Sequence, residues 1–209
     1  MADLSVLIPK VAVFVPEAPD PLVVEMLREA VDTLAVRTKC WIVQSDAVDI
    51  EEGEARYRVE IESTLLPVCV REVRLNGAAL EPRNLPDWEA TAQEWPSVGG
   101  LPDEFAQVSP DAIVLNRIPI GVTGSLIFGV AVRPGRALTR IPDWLLNDQQ
   151  SAIVAGALGN LMMMPRKAWS DPAGGAVWLA RFEAAVNELS WRVAKGFVAS
   201  GPSSTARFF

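Results

Sequence analysis

The chain contains no histidine. That removes the commonest general base, the commonest metal ligand, and every Ser-His or Cys-His arrangement for nucleophilic catalysis. Cysteine is nearly absent. Cys40 and Cys69 are the only two, both in apolar, strand-like surroundings, and no spacing suits a metal. Buried free thiols are the favoured reading and a disulfide the lesser one. Clustered Lys and Arg are missing too, in a chain of net charge −7. A grip on nucleic acid through phosphate neutralisation needs such clusters. An acidic surface past which DNA slides needs none. The longest apolar run, Ala152 to Met164, is interrupted by Asn160 and two glycines, and falls short of the ~20 residues of a membrane span. No basic segment precedes an apolar one at the start, so no secretory leader is expected. These absences predict a soluble protein made in the cytosol.

The remaining chemistry-like patterns have plainer explanations. Gly121-Val122-Thr123-Gly124-Ser125 is glycine-rich but lacks the lysine of a phosphate loop, and reads as a hairpin turn. The acidic run Asp46, Asp49, Glu51, Glu52 and Glu54 lacks the order and central glycine of a calcium loop, and reads as a solvated loop. Glu183 and Glu188 fall on different faces of a helix, which argues against a catalytic carboxylate pair. We therefore expect no catalytic, metal or cofactor-binding residues, and no enzyme.

What is present is well punctuated. The 209 residues are half apolar, enough for one domain that buries roughly 70% of its unfolded surface. The clearest stretch runs from Ile141 to Phe197. Pro142-Asp143 opens one helix and Pro165 ends it; Asp171-Pro172 opens a second, and Gly196 follows its last periodic residue. The first is apolar nearly all round, with Ala152, Ala155, Gly156 and Gly159 allowing another backbone to come close. Its run Met162-Met163-Met164 suits either adaptable core filling or an adaptable partner surface. The second carries an apolar stripe of Trp178, Phe182, Ala185, Val186, Leu189 and Val193 beside a polar one of Arg181, Glu188, Arg192 and Lys195. Glu188 and Arg192 have the spacing of a helical ion pair. Trp191 falls off the apolar stripe, either to cap the core or to pack on a neighbouring subunit.

Residues 1–19, with Pro9, Pro16 and Pro19, are expected to form an extended arm with a short strand at Val11 to Val15. Asp20-Pro21 then opens an amphipathic helix to Thr38. At about 100° per residue, Val23, Val24, Met26, Leu27, Ala30, Val31 and Leu34 share its apolar face. From 39 to 140 short β-branched runs alternate apolar with polar, as in Arg56 to Glu62 and Val68 to Leu75, and Asn76-Gly77 is a strong turn signal. A loop at 82–110 carries Trp88, Trp95 and Gly99-Gly100. The expected fold is α+β: the helices at 20–38 and 141–197 form a small bundle, a central antiparallel β-rich region spans 39–140, and 198–209 is a flexible tail. That tail is polar but ends in Arg207-Phe208-Phe209, which suits a frayed end or a docking peptide that orders on binding.

Several of these residues together resemble a known family. They are Trp41 on a strand after an amphipathic helix, then Ile141-Pro142-Asp143-Trp144-Leu145, Gly156-Ala157-Leu158-Gly159-Asn160-Leu161, Pro165-Arg166-Lys167-Ala168-Trp169-Ser170-Asp171-Pro172 and Phe182-Glu183-Ala184-Ala185-Val186. The pattern resembles the head-to-tail connector, or adaptor, proteins of tailed bacteriophages. It covers the last third of the chain well; the rest matches in layout only. The resemblance implies a structural virion protein of the neck, assembled in the host cytoplasm. Its homo-oligomeric ring, usually dodecameric, would sit beneath the portal protein, contact tail or nozzle proteins, and let DNA pass without specific binding. It implies no cofactor and no membrane. Arg207, Phe208 and Phe209 become candidate portal contacts, and Arg181, Glu188, Trp191 and Arg192 candidate subunit contacts. The alternatives are another neck or tail-completion protein, or a non-viral ligand-binding module.

Overall fold

The computed structural model describes residues 1–84, 98–136 and 138–196. Helices and antiparallel sheets make it a mixed α+β protein. The start of the chain corrects the expected extended arm. A 3₁₀ turn at Leu4–Leu7 leads into helix α1 (Ile8–Ala12). Leu4, Leu7, Val11 and Val15 recur every three or four residues and are all buried. This helical period outweighs the proline signal, because Pro9 sits in the first turn of α1, where its missing N–H costs nothing. Asp3 caps the 3₁₀ turn by accepting from the Ser5 N–H at 2.8 Å.

Helix α2 (Asp20–Thr38) has Pro21 in its first turn and ends at Lys39, whose φ of 54° is left-handed. Two longer helices follow the sheets: α3 (Asp143–Met163) and α4 (Pro172–Ala194). The strands are, in chain order, β1 (Ala2–Asp3), β2 (Ile42–Gln44), β3 (Val48–Asp49), β4 (Arg56–Arg58), β5 (Leu65–Leu75), β6 (Ala78–Ala79) and β7 (Glu81–Arg83). After them come β8 (Glu104–Ser109), β9 (Ala112–Leu115), β10 (Ser125–Pro134) and β11 (Arg140–Ile141).

β10 is the organising strand. It pairs antiparallel with β5, with β2 and with β3, and it lies against α2. Leu126, Phe128, Val130 and Val132 alternate along it and are fully buried, as period-two patterning requires. A second sheet has the order β4-β9-β8-β7. The middle is antiparallel as expected but for one of its described strand pairs: β7 runs parallel to β8, with Glu81 opposite Glu104. Parallel neighbours need a long crossover, and the segment read as a loop at 82–110 supplies it. Its two ends are strands, while Trp88 and Trp95 lie outside the described residues. Phe105 and Ala106 are both buried, so β8 shows no clean alternation in the sequence.

Gln107 ties the two sheets together. Its Oε1 accepts from the Val70 N–H at 3.1 Å, and its Nε2 donates to the carbonyls of Ser109 and Pro110. The outer edge of β5 is thereby occupied by a side chain, and Pro67 beside it has no N–H to offer. Helices and both sheets share one continuous apolar core. The N-terminus is fastened to the start of α3: β1 pairs with β11, and the Met1 amine donates to Asp143 Oδ2 at 2.9 Å.

Candidate interface

Helices α3 and α4 form an antiparallel pair held by glycines. A Cβ on Gly159 would lie 2.6 Å from Leu179 Cγ, and one on Gly175 would lie 3.2 Å from the Gly159 carbonyl oxygen. One turn earlier on α3, a Cβ on Gly156 would meet Ala30 Cβ of α2 at 2.8 Å and the Phe182 ring of α4 at 3.1 Å. Three helices thus converge on Gly156. The turn between α3 and α4 is equally determined. Arg166 takes a left-handed φ of 59°, the Asp171 N–H returns to the Met162 carbonyl at 3.0 Å, and the Asp171 side chain caps α4 by accepting from the Gly174 N–H at 3.1 Å. Lys167 lies over the Trp169 ring, 5.9 Å from its centroid. The Trp169 indole N–H is buried without a hydrogen-bond partner.

Helix α4 turns Gly175, Phe182, Val186, Leu189 and Val193 into the core. The opposite face is open. Val177 is 54% exposed and Trp191 is 70% exposed, with Ala180, Ala184 and Glu188 exposed along the helix between them. Trp191 therefore does not cap the core, which overturns one of its two readings; it stands more than a third of a turn from each buried position nearby. Arg181 is held over the Trp178 ring at 4.7 Å, and that ring meets Phe14 edge-on, with centroids 5.1 Å apart. Glu188 and Arg192 are both exposed and form no ion pair, contrary to the reading from their spacing. Holding two long side chains in one geometry costs as much entropy as an exposed pair returns. Of the candidate subunit contacts, Arg181, Glu188, Trp191 and Arg192 thus share one solvent-facing helix. The candidate portal contacts Arg207, Phe208 and Phe209 lie outside the described residues.

One ion pair does fasten this helix. Arg37 Nη1 at the end of α2 stands 2.5 Å from Glu183 Oε1. The guanidinium, hydrogen-bonded to the carboxylate, holds the Glu183 pKa below its ordinary value. A depressed carboxylate pKa contributes stability above the unfolded value that is lost as pH falls through the folded one. We expect Glu183→Gln to cost about 0.5 kcal/mol at pH 7, typical of an exposed pair. The deficit should begin to shrink below the ordinary glutamate pKa of about 4.3 and vanish once the pH has fallen through the lower folded-state value. Urea unfolding of both chains from pH 2 to pH 7 checks this; a deficit that does not shrink as the pH falls would refute the linkage.

Elsewhere, both cysteines are free thiols, and burial pushes the Cys40 pKa up. The glycine-rich segment is a bent connection and no hairpin, since β9 and β10 on either side of it lie in different sheets; φ is left-handed at Gly121 and an equally glycine-requiring 137° at Gly124. Glu52 of the acidic run accepts from the Gly121 N–H, so part of that run packs on the turn. Among the described residues no three acidic or thiol side chains converge as metal ligands would. A shallow groove between α2 and the sheet is lined by Glu25, Arg28, Glu29, Leu66 and Arg133; Arg133 is bonded to Asp32 at 3.3 Å. Sequence reasoning missed Val13 and Phe14, both exposed, with Phe14 against the Trp178 ring of α4. The Leu4-Leu7-Val11-Val15 period would have found the helix whose closing turn presents them. No protein-family model matches the sequence, and no curated protein matches it.

Proposed function

We propose that this chain is a structural subunit of a tailed-phage neck, an adaptor that assembles into a ring joining the portal vertex to the tail. The helices α2, α3 and α4 would form the ring body as a small bundle. The β-rich region would face the tail, and the segment ending in Arg207, Phe208 and Phe209 would reach the portal. The observation that carries the proposal is the outward face of α4. A helix end that presents Trp191 to solvent next to Arg192, with Glu188 about one turn before it, has the composition of an interface centre: an aromatic anchor with an arginine beside it. The connector-like pattern in the last third of the chain supports the same reading. Glycines of that pattern, Gly156 and Gly159, let α3 approach α2 and α4 closely. The net charge of −7 suits a lumen that DNA crosses without adhering.

Purified chain mixed with the portal protein of the same phage should give a ring complex, seen by electron microscopy and as a step in mass by light scattering. Failure to associate with any portal or tail protein would reject the assignment. A density position elsewhere in the neck would instead favour a tail-completion role.

A further inference from the structure

Asn76-Gly77 connects β5 to β6, and both residues have positive φ, 51° and 86°, as the central pair of a type I′ turn requires. The Asn76 side chain does more than permit the turn. Its Nδ2 donates to the Thr123 carbonyl at 3.0 Å, and its Oδ1 accepts from the Ser125 N–H at 3.1 Å. The Asn76 N–H itself donates to the Ser125 carbonyl at 3.1 Å. Gly124 lies directly behind the amide, where a Cβ would collide with Asn76 Oδ1. The side chain thus extends the β5–β10 ladder by one step and fastens the Gly121–Gly124 turn to the β5–β6 hairpin.

We propose that Asn76 is a spontaneous modification site, an asparagine poised for deamidation that the fold holds in check. The chemistry needs no partner but water. The Gly77 backbone nitrogen attacks Asn76 Cγ, the new N–Cγ bond replaces the Cγ–Nδ2 bond, and ammonia leaves with the proton from the Gly77 amide. Water then opens the cyclic imide at either carbonyl, giving aspartate or isoaspartate. Glycine at 77 offers no side chain to hinder that attack. In the folded chain both ends of the amide are engaged by the 123–125 backbone, so ring closure must first break two hydrogen bonds. The reaction is irreversible in its effect. Its product has no Nδ2 donor for Thr123 and sets a carboxylate against that carbonyl, so the clamp does not reform.

The test compares deamidation of the native chain with that of the same chain held in guanidinium chloride, at one mildly alkaline pH and temperature. The tryptic peptide Leu75–Arg83 reports the product by mass and by chromatographic separation of the aspartyl and isoaspartyl forms. Two hydrogen bonds of ordinary net strength should make the native rate roughly 10- to 30-fold slower. Equal rates would overturn the proposal. Gly124→Ala supplies an independent arm, since its Cβ displaces the amide. In a G124A chain with native circular dichroism, the folded-state rate should rise towards the denatured one, and an unchanged rate would also overturn the proposal. If G124A does not fold, the comparison of native and denatured chain decides alone.

Discussion

Gly156→Leu is expected to be the most damaging single substitution in the helical part, costing ~3 kcal/mol or more of the ~5–15 kcal/mol that holds such a domain together. Even the first carbon of a side chain would sit 2.8 Å from Ala30 Cβ and 3.1 Å from the Phe182 ring. Ala30 has no rotamer to give, so α2 itself must move, and Phe182 is locked in the core. Gly156→Ala should be milder. Alanine recovers about 1 kcal/mol of helix propensity against an overpacking cost of ~1–3 kcal/mol. Guanidinium unfolding followed by far-ultraviolet circular dichroism measures both. The expected order is native chain, G156A, then G156L, with the midpoint falling and the slope unchanged. A G156A chain more stable than the native one would mean that α2 and α4 do not close on this position.

The glycines of α3 also show why parts of the fold were legible in the sequence and others were not. Helix ends are written locally: Pro21, Pro142, Asp171-Pro172 and Gly196 act through their own backbone, so the bounds of α2, α3 and α4 follow from a few residues. Strand partners are written nowhere locally. β7 and β8 look like any two short strands, and their parallel pairing depends on a connection whose path no residue encodes. Gln107 reads as an ordinary polar residue at a hairpin, and only the approach of β5 turns it into a clamp. The N-terminus failed for a different reason, because two local signals conflicted there. Pro9 argued for extension, the spacing of Leu4, Leu7, Val11 and Val15 argued for helix, and the buried apolar contacts decided. The proposed interface lies between these cases. That Trp191 leaves the apolar stripe is visible on a helical wheel, but its exposure depends on which neighbours cover α4.

Trp191→Ala should therefore separate folding from assembly. A side chain 70% exposed contributes little to the isolated chain, so its removal should change folding stability by no more than about 0.5 kcal/mol. At the centre of a subunit contact the same truncation typically costs about 2 kcal/mol or more, a factor of roughly 30 in each interface. A closed ring repeats that loss at every contact, so the native chain should assemble on its portal at concentrations where Trp191→Ala remains dispersed. Thermal unfolding of the free chain and light scattering with and without portal measure the two effects separately. A large drop in melting temperature with intact assembly would mean that Trp191 supports the monomer. Unchanged assembly and unchanged stability would remove α4 from the interface and leave the portal contact to the segment beyond Gly196.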